Sequence, residues 1–333
     1  MQIESYNTNQ KVLVIAEIGN NHEGDFSVAQ RLVEAAVAAG VGAVKFQTFI
    51  PELYVHRTQT ERFERLKNFQ LSFKQFEQLS RQAHEAGILF ISTPLDLESA
   101  AFLPSIADAI KIGSGENTFY PLLAQVALSH KPIIMSTGLS TLSEITDSKA
   151  FLDKALQKAE AVQPVALLHC VSAYPTPVRQ ANLGAIPVLK RTFPDTPIGY
   201  SDHTIGRPAA LTAVALGARI IEKHFTLDNQ YSSFRDHLLS LNPTDMALLV
   251  QEIQDIEAMM AFMPMPESSN IMLMRRSIVA KQAIPSNKPL SLEDLTWVRP
   301  AEGLPPGQEH RLLGRRLKAP VEAGTVITEA LLQ

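Results

Sequence analysis

The first three quarters of the chain alternate between two hydrophobic patterns. Short apolar runs end in polar residues, and between them lie stretches in which apolar residues recur every three or four positions. The apolar runs predict eight strands, at residues 12–18, 43–47, 88–92, 109–112, 132–136, 165–170, 197–201 and 218–224. Near-continuous apolar strands that alternate with helices are typical of a parallel sheet covered by helices. Eight such units predict an α/β fold with a closed (β/α)8 TIM barrel, and a doubly wound open sheet is the alternative.

Helix boundaries are marked in the same part of the chain. After the first strand, apolar residues at positions 28, 29, 32, 33, 36 and 37 have helical spacing, and Gly40 follows as a stop. Ser72 and Gln75 predict a capping box, Pro208 is typical of a first helical turn, and Gly217 is typical of a helix end. No G-x-G-x-x-G motif follows the first strand, which argues against a dinucleotide site.

The alternation stops near residues 262–270, where the sequence FMPMPESSN contains two prolines, two serines and an asparagine. This composition predicts a linker. We therefore expect a barrel domain at 1–262, a linker at 263–275 and a small β-rich domain at 276–333. The last domain is basic and near the size at which a lone core is marginal, so it is expected to pack on another surface.

Composition excludes several classes of protein. The 333 residues carry a net charge of −4, which gives no general signal for nucleic acid. Cys170 is the only cysteine, so an intrachain disulfide is impossible. The first ten residues are polar, and the longest apolar stretch, residues 209–221, is too short to span a bilayer. We expect a cytoplasmic protein that binds neither nucleic acid nor membrane.

Polar side chains stand at the carboxyl ends of nearly all predicted strands. In a closed barrel these ends form one rim, and active sites are built there. A ring of such residues is difficult to explain as a structural accident. The rim residues are Glu17, Lys45, Gln47, Ser92, Thr93, Lys111, Ser114, Glu116, Ser136, Thr137, His169, Ser172, Ser201, Asp202, His203, Glu222 and His224.

Two lysines interrupt otherwise apolar strands. Lys45 lies in AVKFQ and Lys111 in AIKIG. Because a buried unpaired ammonium group is costly, each needs an anionic partner. A structural ion pair with Glu17 or Glu116 is the simplest account. A bound phosphate or carboxylate also fits, since the serine hydroxyls of the same rim suit such anions. A Schiff-base lysine is a third possibility.

Two histidines end neighbouring predicted strands. Adjacent strands lie about 5 Å apart, so the imidazoles of His203 and His224 could reach one ion. Hydrogen-bonded structural histidines are the alternative. A site completed by water, carboxylate or substrate oxygen would suit Mn²⁺, Co²⁺ or Mg²⁺ better than a closed structural zinc. Such an ion would polarise a carbonyl group.

Four other positions have chemistry to consider. Glu17 ends the first strand and is a catalytic candidate, whereas Asn21 is read as a helix-capping residue. Tyr174 lies in a loop with two prolines and could simply pack there. Cys170 beside His169 could suggest a nucleophile pair, but adjacent strand residues point to opposite faces, so we discount it.

Taken together, these motifs resemble the sialic acid (N-acetylneuraminate) synthase family. The matching stretches are AEIGNNHEG, VKFQT, FISTP, KIGSGE, IIMSTG, LLHCVSAYPTP, GYSDHT and ALGARIIEKHFTLD. The C-terminal segments RRSIVAKQAI, WVRPAEG and LLGRR resemble the antifreeze-like (SAF) domain of that family. The resemblance implies a phosphoenolpyruvate-dependent enzyme with a divalent metal, commonly Mn²⁺. It also implies a domain-swapped homodimer in which each small domain covers the partner's barrel.

The resemblance implies roles for individual residues. Phosphoenolpyruvate would contact Lys45, Thr93, Lys111, Ser114, Ser136, Ser172 and Ser201. The metal ligands would be His203 and His224. The sugar would contact Gln47, Tyr174, Asp236 and Arg299, with Arg299 holding its N-acyl group from the partner subunit. Glu17 and Glu116 would be acid–base groups, with Tyr174 and Asp236 also counted among the catalytic residues.

Two positions depart from the family pattern. Ser172 stands where asparagine is usual, and residues 225–239 lack the expected Gly-Pro-Asp turn before Asp236. Within the family, the acceptor could be an N-acylmannosamine, or a sugar that leads to legionaminic or pseudaminic acid. Outside it, a Schiff-base aldolase and a non-catalytic carbohydrate-binding or ice-binding protein are the competing hypotheses.

Overall fold

A computed structural model describes residues 1–261 and 269–333 of the chain. These residues divide into two compact units, Met1–Ala261 and Phe262–Gln333. Residues 263–268 of the expected linker lie outside the described residues, and the helix Ser269–Met274 occupies most of the rest. The turn-rich sequence FMPMPESSN therefore gives way to helix sooner than its composition suggested.

The first unit is a closed barrel of eight parallel strands, as the hydrophobic pattern predicts. A short antiparallel pair, β1 (Gln2–Ile3) and β2 (Tyr6–Asn7), precedes it. Each barrel strand lies within two residues of its predicted bounds, and the last strand closes the barrel by pairing with the first. The strands are β1 (Gln2–Ile3), β2 (Tyr6–Asn7), β3 (Leu13–Gly19), β4 (Ala43–Thr48), β5 (Leu89–Pro94), β6 (Ala109–Ile112), β7 (Ile133–Ser136), β8 (Val165–Cys170), β9 (Ile198–Asp202) and β10 (Ile220–His224).

Helices follow the strands and cover the outside of the barrel. They are α1 (Phe26–Ala38), α2 (Pro51–Tyr54), α3 (Thr60–Phe69), α4 (Phe73–Glu85), α5 (Leu97–Phe102), α6 (Tyr120–Ala127), α7 (Leu142–Lys158), α8 (Ala185–Thr192), α9 (Pro208–Ala215), α10 (Arg235–Leu239) and α11 (Pro243–Met260). The predicted boundaries are confirmed: Ser72 and Gln75 form a capping box, Pro208 opens α9, and Gly217 beyond its end has a φ of +99°.

Side chains alternate between the two faces of each strand, and this alternation divides the core. One apolar cluster lies between strands and helices, and a second fills one end of the barrel interior. In the second cluster Met1 and Ile3, at the start of the chain, pack against Leu13, Ile15 and Ile220. Since one end of the interior is filled by apolar groups, the polar inward residues are confined to the other end.

Within residues 1–261 and 269–333, no helix combines the length and hydropathy that crossing a bilayer would require.

The second unit contains helix α12 (Ser269–Met274) and two antiparallel strands, β11 (Ser277–Ala280) and β12 (Leu295–Val298). Isolated bridges such as Val279–Val326 extend the strand pairing toward the C-terminus. A separate apolar cluster, which includes Ile278, Leu295 and Leu317, forms its core. Arg299 follows β12 directly and is exposed.

Candidate active site

The polar end of the barrel interior opens into a cavity of about 1010 Å³. It is lined by all the barrel residues to which the sequence analysis assigned a site role: Glu17, Lys45, Gln47, Thr93, Lys111, Ser114, Glu116, Ser136, Ser172, Tyr174, Ser201, His203, His224 and Asp236. Arg299 belongs to the second unit, so its role stays a prediction. The closure of eight strands thus gathers side chains that lie as many as 219 positions apart in sequence, from Glu17 to Asp236.

The lysine end of the cavity is a chain of buried charges. Lys45 Nζ lies 2.8 Å from Glu17 Oε2 and donates to Thr93 Oγ1 at 3.2 Å. Glu222 Oε2 lies 3.7 Å from Lys45 Nζ and 3.9 Å from Lys111 Nζ. The ion pair expected between Lys45 and Glu17 is therefore present, while the carboxylate nearest Lys111 is Glu222 and not Glu116.

These contacts shift the pKa values of the buried groups. Burial raises the pKa of Glu17, and the nearby Glu222 charge adds to this against the opposing effect of Lys45. Burial also opposes the charge of Glu222, but Lys111 and Lys45 outweigh it and lower its pKa to about 2. Burial lowers the pKa of Lys111, which donates to Ser136 Oγ at 2.6 Å. Of the two carboxyl groups, Glu222 is therefore the one that stays ionised to lower pH.

Two hydroxyl groups converge beside Gly138, just beyond β7. A methyl group built at Gly138 would lie 2.6 Å from Ser114 Oγ and 2.8 Å from Ser172 Oγ. Ser172 Oγ is buried and has no hydrogen-bond partner within the described chain. Asn117 donates to the carbonyl oxygens of Ser136 at 3.3 Å and Gly138 at 3.1 Å, which fixes this turn. The small concave surface therefore offers the unpartnered Ser172 hydroxyl group, beside that of Ser114, to an anion, although Ser172 replaces the usual asparagine.

The two histidines meet at the other side of the cavity. The ring centroids of His203 and His224 are 5.3 Å apart. His203 Nδ1 lies 2.8 Å from the carbonyl oxygen of Val171, so this nitrogen carries the proton and Nε2 keeps its lone pair. His224 Nδ1 is buried and has no partner within the described chain, and burial lowers the pKa of this ring. Both imidazoles therefore have a nitrogen available to a metal ion.

The histidines alone would not complete a metal site. Among residues 1–261 and 269–333, no group of three or more His, Cys, Asp or Glu side chains is placed to hold one ion. The remaining ligands would have to be oxygen atoms from water or substrate, as the sequence analysis expected. The donor set fits a divalent ion that accepts mixed nitrogen and oxygen ligands.

Tyr174 and Arg235 form the wall next to the histidines. The Tyr174 ring lies over His203, with centroids 4.1 Å apart, and the Arg235 guanidinium lies 4.6 Å from the Tyr174 centroid. Arg235 Nε also lies 3.3 Å from Asp236 Oδ1. Burial raises the pKa of Tyr174, so its hydroxyl group stays protonated at neutral pH. Tyr174 is therefore part of the cavity wall and not merely a packed loop residue.

Several rim residues expected from the sequence point away from the cavity. Ser92 bonds Thr48 at 2.8 Å, and His169 bonds the carbonyl oxygen of Ala181 at 2.8 Å. Asp202 pairs with Lys223 at 2.8 Å, both with no exposed side-chain surface. The physical reason is the two-residue period of a strand, which sends alternate side chains to the helix-covered face.

Sequence reasoning gave no site role to Glu222, Cys170 and Arg235, which all line the cavity. Glu222, placed on the rim without a role, bridges the two lysines, and the period of two from His224 could have indicated it. Cys170 lines the cavity, and its sulfur lies 3.8 Å from His203 Nδ1 and not beside His169. Asn21, read as a helix cap, instead donates to the carbonyl oxygen of Phe225 at 2.8 Å.

Comparison with known proteins identifies a family for each unit. The sequence matches the NeuB family over residues 32–263 and the SAF domain over residues 275–333. It is 37% identical to the N,N'-diacetyllegionaminic acid synthase of Campylobacter jejuni, over 92% of this chain and 96% of that protein. It is 32% identical to the N-acetylneuraminate-9-phosphate synthase of Homo sapiens, over 96% of this chain and 92% of that protein.

A solved structure shows the same similarity. The N-acetylneuraminic acid synthetase of Leptospira borgpetersenii, in complex with citrate, superposes with a TM-score of 0.74 at 33% identity. The match covers 81% of this chain and 93% of that structure. The similarity is therefore one of sequence and fold together, and it extends over most of both proteins.

Proposed function

The chain belongs to the NeuB family and ends in a SAF domain, and from this we propose that it condenses phosphoenolpyruvate with an N-acylmannosamine-type amino sugar. The products are a nonulosonic (sialic-type) acid and inorganic phosphate. The proposal depends mainly on one observation. The ammonium groups of Lys45 and Lys111 and the imidazoles of His203 and His224 line the same cavity.

The ammonium and hydroxyl groups suit the donor substrate. Phosphoenolpyruvate carries a phosphate and a carboxylate on adjacent atoms. Lys111 with Ser114, Ser136 and Ser172 would bind the phosphate, and Lys45 with Thr93 and Ser201 would bind the carboxylate. Five of these seven donors lie on strands, and Ser114 and Ser172 follow β6 and β8 within two residues. Little reorganisation is therefore needed when the anion binds.

His203 and His224 would hold a divalent ion, which we propose to be Mn²⁺, with Co²⁺ or Mg²⁺ as substitutes. When bound, the ion supplies Lewis-acid polarisation of the aldehyde carbonyl. Tyr174, stacked on His203, keeps that ring from turning away from the cavity.

Two carboxyl groups would handle the protons. C3 of phosphoenolpyruvate forms a bond to the aldehyde carbon, and Glu116 donates a proton to the aldehyde oxygen. Burial raises the pKa of Glu116, so its carboxyl group keeps a proton to higher pH than an ordinary glutamic acid does. Use of the C2=C3 electron pair leaves C2 electron-deficient, so water adds there and Glu17 accepts a proton from that water. The C2–O bond to phosphate then breaks as C2 and its new hydroxyl group become the ketone. The hydroxyl proton leaves with the phosphate, which keeps its bridging oxygen.

The sugar would occupy the outer part of the cavity. Gln47, which donates to Glu17 Oε1 at 3.1 Å, and Asp236 line that part. We also propose a domain-swapped homodimer, in which the partner subunit's Arg299 holds the acceptor's N-acyl group. An exposed arginine directly after β12 is consistent with such a contact.

We favour an acceptor of the legionaminic type among the sugars considered. The sequence is 37% identical to a diacetyllegionaminic acid synthase and 32% identical to an N-acetylneuraminate-9-phosphate synthase, at similar coverage. Two pseudaminic acid synthases of Campylobacter jejuni are 32% and 31% identical to this chain, also below the value for the diacetyllegionaminic acid synthase.

An acceptor panel tests the proposal. The purified chain is given phosphoenolpyruvate, Mn²⁺ and each amino sugar, and phosphate release and product mass are measured. Bridging ¹⁸O in phosphoenolpyruvate should appear in the phosphate, and label retained in the sugar would rule out C2–O cleavage. Borohydride trapping of pyruvate on Lys45 or Lys111, with insensitivity to chelator, would instead favour a Schiff-base aldolase.

A further inference from the structure

The start of α10 places a donor and an acceptor side by side on the cavity wall. The Arg235 side chain is 66% exposed and the Asp236 side chain 9% exposed, and both line the cavity. Arg235 has five N–H donors, of which the contact with Asp236 uses one. Its guanidinium carbon lies over the Tyr174 ring, 4.6 Å from the centroid, and most of the side chain stays accessible.

The segment that carries this pair is firmly anchored. His237, 1% exposed, bonds Thr226 Oγ1 at 2.7 Å through Nδ1 and Glu23 Oε1 at 3.1 Å through Nε2. Asn229 donates to the carbonyl oxygens of His237 at 2.9 Å and Ser240 at 2.7 Å. The second half of α10 and the residue after it are therefore fixed to Thr226, Asn229 and Glu23, which limits the movement of the adjoining Arg235 and Asp236.

Phe234 closes the same wall from the other side. Its ring packs edge-on against Phe69 of α3 with centroids 5.2 Å apart, within an apolar cluster that includes Leu66 and Leu95. This contact binds the α10 segment to the helix that follows β4. The residues on either side of the pair, Phe234 and His237, are thus both packed, while most of the Arg235 side chain stays accessible at the cavity.

We propose that Arg235 and Asp236 recognise, by hydrogen bonding, a second acylamino group on the acceptor sugar. Arg235 is a donor only, so it requires an oxygen that accepts, and an acyl carbonyl is a better acceptor than a sugar hydroxyl. Asp236, ionised, is an acceptor only, so it requires the hydroxyl or amide hydrogen next to that acyl group. The inference rests on the proposed function with its legionaminic-type acceptor, and it adds Arg235 as the residue that distinguishes a diacylamino sugar from a monoacylamino sugar.

The test compares two acceptors with and without that group. The probes are 2,4-diacetamido-2,4,6-trideoxymannose and N-acetylmannosamine, and the readout is the ratio of their kcat/KM values. In Arg235→Gln the ratio should fall about 10- to 100-fold, the effect of one hydrogen bond to a charged group. Arg235→Lys should restore little of it, because an ammonium group lacks the planar fork and the stacking face.

Control measurements distinguish a change in acceptor recognition from a general loss of structure or activity. Arg81→Gln on α4, an exposed arginine outside the cavity, should keep the wild-type ratio. The KM for phosphoenolpyruvate and the Mn²⁺ affinity of Arg235→Gln should change less than the acceptor ratio. An unchanged ratio, or an equal loss with both sugars, would overturn the proposal, as would a wild-type preference for N-acetylmannosamine or its 6-phosphate.

Failure of the proposed function can be distinguished from failure of this inference. If no acceptor is turned over, titration calorimetry of the same two sugars, with phosphoenolpyruvate present, still gives their binding ratio. If the wild type binds the diacetamido sugar more tightly and Arg235→Gln removes this difference in affinity, the inference is upheld even without turnover. Equal affinities in the wild type would refute it.

Discussion

Glu17 and Lys45 stand opposite each other on β3 and β4, in register, with 2.8 Å between Oε2 and Nζ. Each is almost fully buried, with 3% and 4% of the side chain exposed. Glu222 extends the pair to Lys111, so the four charges compensate each other before any substrate binds. An incoming anion therefore meets ammonium groups that are already held in place.

Glu222→Gln should lower the free energy of unfolding by about 3–5 kcal/mol, because it leaves two buried ammonium groups sharing only Glu17. Urea denaturation at pH 7 measures this. Glu52→Gln, an exposed position on α2, is the control and should change little. A loss below about 1 kcal/mol, the scale of an exposed ion pair, would mean that Glu222 is not the central carboxylate of the group.

Gly138→Ala should weaken phosphoenolpyruvate binding about tenfold or more while leaving the fold stable. The new methyl group would push Ser114 Oγ and Ser172 Oγ apart, at a cost on the scale of about one hydrogen bond to a charged group. Calorimetry with phosphoenolpyruvate measures the loss. Gly115→Ala, which meets nothing within 4 Å, is the matched control. Similar affinities in the two variants would place the phosphate elsewhere.

His203→Ala and His224→Ala should each reduce Mn²⁺ affinity by at least about 10-fold, since each removes one of two protein ligands. Electron paramagnetic resonance of free Mn²⁺ gives the affinity directly. Chelator should abolish phosphate release by the wild type, and Mn²⁺ should restore it. His84→Ala, on α4 and outside the cavity, should bind metal normally. Normal Mn²⁺ binding by both cavity variants would contradict the assignment of His203 and His224 as metal ligands.

Glu116→Gln should lower kcat about 10²- to 10⁴-fold and alter the pH profile. Burial raises the pKa of Glu116, so its proton persists to higher pH than that of an ordinary glutamic acid. Because the proposed role needs the protonated form, wild-type activity should fall as pH rises through this pKa. The variant should lack that alkaline limb. A limb that survives the substitution unchanged must belong to another group.

Lys223→Met should destabilise the protein by about 3–5 kcal/mol, because Asp202 would remain buried without its ammonium partner. Replacing both residues, as Lys223→Met with Asp202→Asn, should recover part of the loss, since no net charge is then buried. Urea denaturation of the two single variants and the double variant measures the coupling. Strict additivity of the losses would show that the two charges do not interact.

The barrel could be predicted from the sequence because each strand has a local signal in its own residues. An apolar run with a turn residue behind it needs no distant partner to be recognised, and residues 109–112 and 165–170 were placed without error. The strand period also predicts which side chains share a face, once one of them is assigned. Lys45, Lys111, His203 and His224 could therefore be grouped before their distances were known.

The partners of those residues could not be predicted. Lys111 lies nearest Glu222 and not Glu116, and Arg235 lies over Tyr174. These contacts depend on how segments 111 and 61 positions apart in the chain are brought together. Spacing along the chain contains no information on such distances. The departure from the expected Gly-Pro-Asp turn was visible in sequence, but the position of Arg235 on the cavity wall was not.

Sequence by itself determined the succession of strands and helices and the kinds of side chain at the barrel rim, because both depend on interactions within a few residues. The tertiary structure decided which of those side chains meet, which are turned to the helix-covered face, and which charges compensate each other. The physical reason is that the closure of the barrel sets distances between residues far apart in the chain, and electrostatics and hydrogen bonding depend on those distances.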